Sequence, residues 1–165
     1  MSQDQVLRIE GRRSDPELRV RQWDITFYDD ARVNNAIAVR VDDGQDTETQ
    51  EQLRMFENAS WDHFDRNFTG FSRKEVIDPA RWKVDSDDAM SKVLKQSGLS
   101  EVQVTEVRMT LCKLSDGEVP PVWRVYLRAR SKKNPSREAA IGYVELSAES
   151  GEVLRNETRV SKLLD

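Results

Sequence analysis

Residue types able to do covalent or acid–base chemistry are sparse in this chain. There is one histidine, His63, and one cysteine, Cys112. His63 stands between Asp62 and Phe64, with no neighbour that would pair a histidine base with a nucleophile. No cysteine-hydrolase signature surrounds Cys112, and a single thiol makes neither an internal disulfide nor a cysteine zinc site. It reads as a small core residue on a strand. The acidic run Asp42 to Glu51 lacks the EF-hand order; Asp43–Gly44 reads as a turn and the rest as a solvated face, with weak calcium binding as the alternative. Glycines are too scattered for a phosphate loop. The expectation is a protein that is not an enzyme and holds no cofactor or metal.

Recognition chemistry is better represented. In "VWRVYLRARS", Val122 to Ser131, the residues Trp123, Val125, Leu127 and Ala129 alternate with Arg124, Tyr126, Arg128 and Arg130. Successive side chains of a strand point to opposite faces, so the first set meets a core and the second shares an open face. Neighbouring runs add Arg108 and, depending on register, either Tyr143 or Glu145. One reading is a solvated face with cross-strand Arg–Glu pairs. The other is a binding surface, because arginine and tyrosine join large contact area to directed hydrogen bonds. The candidate partner-binding residues are therefore Arg124, Tyr126, Arg128, Arg130, Arg108 and Tyr143.

A strand of this kind needs a sheet around it and a layer behind it. "SDDAMSKVLKQSGL" supplies the layer: Ser86 is placed as a helix N-cap, with Asp87 and Asp88 in the first turn. Ala89, Met90, Val93, Leu94 and Ser97 form a stripe at helical spacing, and Gly98 stands at the C-terminus with Leu99 folding back. Four strands are expected after it, over Val102–Leu114, Val122–Ser131, Ala139–Ala148 and Glu152–Val160, an antiparallel α+β pattern.

The first half repeats this order without the helix. "VLRIEGRRSDPEL" matches "VRMTLCKLSDGEV", each leading to a Trp-centred strand at Trp23 or Trp123, and "AIAVRVDDG" answers "AIGYVELSAESG". The reading is an internal duplication. The fold class expected is α+β, tandem helix-plus-four-stranded antiparallel sheet units, the first unit lacking its helix. The boundaries are 1–56 for the first unit (strands only), 57–83 for an aromatic connecting segment and 84–165 for the second unit. Trp23, Ile25, Phe27, Ile37, Val39 and Val41 share one face of the first sheet, and at about 25 cal/mol per Å2 their burial is worth many kcal/mol. A helix cut off upstream, the segment "TETQEQLRMFENASWDHF" or a partner chain is expected to cover it. In the connecting segment Trp61, Phe64, Phe68 and Phe71 fall at helical spacing. They pack under the first sheet or, with Trp61, Phe64 and Phe68 as secondary candidates, anchor a partner.

Charge and hydropathy narrow the partners. The formal net charge is −4, with both signs interspersed. No basic block marks a nucleic-acid interface, and no run of about 20 apolar residues would span a bilayer.

Three stretches resemble the PepSY-like family, a helix followed by a four-stranded antiparallel sheet. They are "ARWKVDSDDAMSKVLKQSGL", with Trp82, Asp85, Ser86 and Ala89 as a Trp-x-x-Asp-Ser-x-x-Ala motif, "PPVWRVYL", with Pro121 and Trp123, and "YVELSAESGEVL", with Gly151 in the last hairpin. Tandem units of this kind are similar in architecture to secreted beta-lactamase inhibitor proteins, in which two units share one long concave sheet. The resemblance implies an extracytoplasmic, non-enzymatic protein that holds or inhibits an exported enzyme such as a peptidase. A targeting segment would then be absent from this chain; a cytoplasmic location is the alternative. The chain departs from those inhibitors in having no disulfide pair. The rival expectations are a small-ligand or catalytic cup, and a self-associating envelope module that forms a homodimer.

Overall fold

The computed structural model describes residues 5–14, 18, 20, 22–31, 36–42, 71–96, 98–114 and 119–164. The protein is α+β. Seven strands, β1 (Val6–Ser14), β2 (Gln22–Tyr28), β3 (Ala36–Asp42), β4 (Val102–Cys112), β5 (Val122–Ser131), β6 (Glu138–Ser147) and β7 (Val153–Asn156), form one sheet in the order β3-β2-β1-β4-β5-β6-β7. Every pairing among them is antiparallel. Helix α1 (Ser86–Leu94) precedes β4, and a short helix α2 (Ser161–Leu164) follows β7. No helix among the described residues is long and apolar enough to cross a membrane.

Helix α1 starts one residue earlier than its sequence suggests. Asp85, not Ser86, is the N-cap: its carboxylate accepts from the backbone N–H of Asp87 at 2.9 Å and of Asp88 at 2.8 Å. The Ser86 hydroxyl instead accepts from the Arg13 guanidinium at 3.2 Å. Ala89, Met90 and Val93 are the buried stripe, while Leu94 is an exposed position at the last turn. The helix ends at Leu94; Gly98, at φ +91°, then starts a 3-10 turn, Leu99–Glu101, whose Leu99 returns to the core.

The back of β5 carries the core. Trp123, Val125, Leu127 and Ala129 pack among Val107, Met109 and Leu111 of β4 and Val144 and Leu146 of β6, all essentially without water contact. The indole N–H groups of Trp123 and Trp82 donate to the same acceptor, the Val84 carbonyl, at 2.8 and 3.1 Å. The two rings meet edge to face, centroids 6.4 Å apart. Backbone bonds from Lys83 and Val84 to the Ala148 carbonyl fix this approach to α1. Arg81 and Lys83 reinforce it on Glu149.

The halves of the sheet meet where β1 lies beside β4. Ile9 stands opposite Leu111 and Gly11 opposite Met109, so the apolar face of β4 continues into β1. Beyond Gly11 the same face carries Arg13, nearly buried, which donates to Asp87 at 2.6 Å and ties β1 to the first turn of α1. Trp23, Ile25 and Phe27 of β2 face Val41, Val39 and Ile37 of β3 in register, and all six are half-buried. The segment expected to cover them from 47 to 64 lies outside the described residues.

Strand β7 is shorter than the closing strand expected over Glu152–Val160, but its pairing runs on. Glu157 N–H donates to the Tyr143 carbonyl and Arg159 N–H to that of Ile141. Between them β6 carries a bulge at Ile141, and Gly142 sits at φ +118° with the Glu157 carbonyl where a β-carbon would go. Only glycine accommodates both demands. α2 was not anticipated, since four residues are too few to show a period; its Leu163 closes the end of the core.

Candidate functional site

Strand register arranges the face opposite α1 in rows. Thr110, Arg124, Glu145 and Arg155 follow one another across β4, β5, β6 and β7. The next row is Arg108, Tyr126 and Tyr143, with Arg12 of β1 opposite Arg108. Beyond it lie Glu106, Arg128 and Ala140, and then Gln103, Arg130 and Glu138. Thus Tyr143 and Glu145 both share the face with β5; they were not alternatives. All six candidate residues, Arg124, Tyr126, Arg128, Arg130, Arg108 and Tyr143, stand on it.

The two tyrosines are its centre. Their rings lie 5.5 Å apart, tilted by 52°. The Arg108 guanidinium sits 5.1 Å from the Tyr126 centroid, and those of Arg124 and Arg155 sit 5.5 and 5.8 Å from that of Tyr143. Each such contact is worth about 0.5–1 kcal/mol where exposed and more where water is excluded. Together they hold long side chains in one arrangement.

Ion pairs do the rest. Arg124 donates to Glu145 at 2.6–2.7 Å, and this pair is largely withdrawn from solvent, Glu145 being buried. Arg128 pairs with Glu138 at 2.8 Å, Arg155 with Glu157 at 3.0 Å and Arg12 with Glu106 at 3.2 Å, all in partial contact with water. Exposed pairs of this sort contribute about 0–1 kcal/mol, so their role is to orient. The face is therefore less wet near its centre than a solvated sheet surface, for Thr110 and Glu145, either side of Arg124, are buried there.

Cys112 lies on this face, opposite Arg8 and Val122, and not in the apolar core where its type suggested. Burial pushes its thiol pKa up against the pull of Arg8 and Arg124, which leaves little reactive thiolate at neutral pH. Burial likewise raises the Glu10 carboxyl, aided by Asp24 and opposed by Arg8, Arg108 and the Thr110 hydroxyl. Below the ordinary glutamate value of 4.5 both folded and unfolded chains hold this proton. Between that value and the raised one only the folded chain does, so its contribution to stability falls as pH rises through the window. Glu10→Gln cannot ionise. Urea midpoints measured from pH 4.5 to 8 are therefore expected to shift in favour of the variant as pH rises; a constant offset would refute the raised value.

An open groove of about 310 Å3 lies at the edge of the face, lined by Ala140, Ile141, Gly142, Tyr143, Glu157 and Arg159. It lies where the bulge of β6 meets Glu157 and Arg159. Sequence reasoning did not find this groove, nor Arg155, Arg8 and Glu10 as parts of the face. Their strands read as ordinary polar alternation, and only pairing brings them together. His63 and the secondary candidates Trp61, Phe64 and Phe68 lie outside the described residues. Phe71 is buried, with the Arg8 guanidinium 5.7 Å from its ring. Among the described residues no three or more His, Cys, Asp or Glu side chains cluster as a metal site would require. Comparison with protein-family models, curated proteins and solved structures finds no match.

Proposed function

We propose that the chain is a non-enzymatic protein-binding module that docks its partner on the open face of β4, β5 and β6. The observation that carries this reading is the contiguous row Arg108–Tyr126–Tyr143, flanked by Arg124 and Arg155. A surface whose long side chains are already ordered loses less rotamer entropy on binding, and that cost is about 0.5–1.5 kcal/mol for each immobilised side chain. The partner in this reading is an exported enzyme such as a peptidase, held or inhibited by occlusion of its surface with no covalent step. The chain would share its exported compartment.

Within the same proposal the chain consists of tandem PepSY-like units, and the strand order is what supports it. Strands β3-β2-β1 and β4-β5-β6 run outward in mirrored order from the β1–β4 junction, as two copies joined through their first strands would. The motif tryptophans Trp82 and Trp123 converge on Val84, so the residues that carry the resemblance are those that seat the helix on the sheet.

The test is affinity capture from an extract of the encoding organism, comparing the wild-type chain with Tyr126→Ala/Arg128→Glu. Arg124 is kept, since it neutralises buried Glu145. A partner identified on the wild-type bait and lost from the variant, with the thermal midpoint of the variant retained, supports docking here. Equal capture by both baits sinks the reading. Light scattering on the chain alone separates a foreign partner from a second copy.

A further inference from the structure

The ion pairs of the open face are layered. In Arg128–Glu138 the arginine side chain is 47% exposed and the glutamate side chain 37%; in Arg155–Glu157 the figures are 56% and 37%, and in Arg12–Glu106 they are 67% and 36%. Arg8–Glu10 and Arg124–Glu145 follow the same order. In each pair the arginine side chain is thus the more exposed member, and that of Arg155 also lies over the ring of Tyr143. Charge cancels within each pair at a distance, but a molecule in contact meets the positive end first. At physiological ionic strength the Debye length is about 8 Å, so that contact layer decides what is accepted. The groove beside Tyr143 borders this layer through Glu157, the partner of Arg155.

We propose, building on the protein-docking reading, that the occupant of this face is an acidic polypeptide segment. Its carboxylates meet the outer guanidinium groups of Arg128 and Arg155, and one apolar side chain enters the groove beside Tyr143. Guanidinium groups offer several N–H donors in a planar fork, so a carboxylate can bridge a pair without displacing the glutamate beneath. A polynucleotide is the poorer fit, because no basic block runs along the chain to track a phosphate backbone, and the groove beside Tyr143 suits an apolar side chain.

The test uses the whole chain, isotope-labelled, and four probes of matched length. These are a Glu/Ser peptide with a central Leu, the same peptide without Leu, the Leu peptide with Lys replacing Glu, and single-stranded oligothymidylate. Arginine Nε–H and backbone signals of β4, β5 and β6 are followed by NMR. The acidic Leu peptide is expected to shift signals of Tyr126, Tyr143, Arg128 and Arg155 and to bind about tenfold tighter than the other three. Arg128→Gln/Arg155→Gln removes the preference for Glu over Lys, and Ala140→Trp, which fills the groove, removes the preference for Leu. Raising salt to about 1 M, where the Debye length is about 3 Å, abolishes the first preference and spares the second. Equal or tighter binding of the Lys peptide at this face overturns the acidic identity while leaving docking intact. Tighter binding of oligothymidylate overturns both. If no peptide reaches the face, the acidic identity falls and docking stands or falls on the affinity capture.

Discussion

Arg124→Met is expected to destabilise the fold by about 3 kcal/mol, the lower end of what removing one partner of a buried ion pair costs. The reason lies in its partner. Glu145 is buried, accepts from Arg124 at 2.6–2.7 Å, and would keep its charge away from water once the guanidinium is gone. Arg155 stands opposite Glu145 on β7 and can recover part of the loss, which is why the lower end applies. The double variant Arg124→Met/Glu145→Leu removes both charges and is expected to return to within about 1–2 kcal/mol of wild type, since an apolar pair in place of a buried ion pair is often close to neutral. Arg128→Met, whose partner Glu138 is in contact with water, should cost about 1 kcal/mol or less. Urea unfolding of the four proteins checks the set. Equal losses for Arg124→Met and Arg128→Met would mean that the centre of the face is as wet as its edge.

That contrast divides the face by task. Arg124 is committed inward, to Glu145 and to the ring of Tyr143. Arg128 and Arg155 are paired more loosely and remain accessible to a partner. Loss of binding in an Arg124 variant would therefore say little about contact, whereas loss in an Arg128 variant with an intact fold would.

Period-2 alternation made β5 legible from sequence, because its back is apolar at every second position and its front polar. The helical stripe of Ala89, Met90 and Val93 was legible for the same reason, with period 3.6. Legibility failed where a non-local contact makes the choice. "DSDD" offers two residues fit to cap α1, and Ser86 loses because Arg13, far away in sequence, claims its hydroxyl. In β6 the bulge at Ile141 shifts the phase, and burial ceases to alternate from Val144 to Ala148, so no local pattern assigns Tyr143 and Glu145 to a face. The β1–β4 junction depends on pairing between strands about a hundred residues apart, and nothing local announces it. The candidate residues were accessible by type and alternation. Their rows, their ion pairs and the groove needed the register.

Trp123→Ala is expected to have the largest effect of any single truncation, about 3–5 kcal/mol, the range for removing a buried large aromatic side chain. Trp123 is 1% exposed and fills the space between β4, β6 and the approach to α1. Its hydrogen bond accounts for little of the loss, because Trp82 also donates to the Val84 carbonyl and stays behind. Trp123→Phe, which keeps one six-membered ring and loses the five-membered half of the indole with its N–H, should then cost about 1–2 kcal/mol, chiefly for the small cavity left behind. Trp82→Ala, at a position 36% exposed, should cost about 1 kcal/mol. Amide exchange gives the structural readout: if the two indoles seat α1, Trp123→Ala accelerates exchange at Met90 and Val93 more than at β1. A uniform acceleration would make Trp123 a general core residue with no special hold on the helix. Because Trp123 precedes Arg124 in the same strand, its removal would also loosen the row of arginine and tyrosine on the other side. Binding lost in Trp123→Ala would be evidence of that coupling between core and face, and contact with the partner would have to be argued from Arg128 and Tyr126.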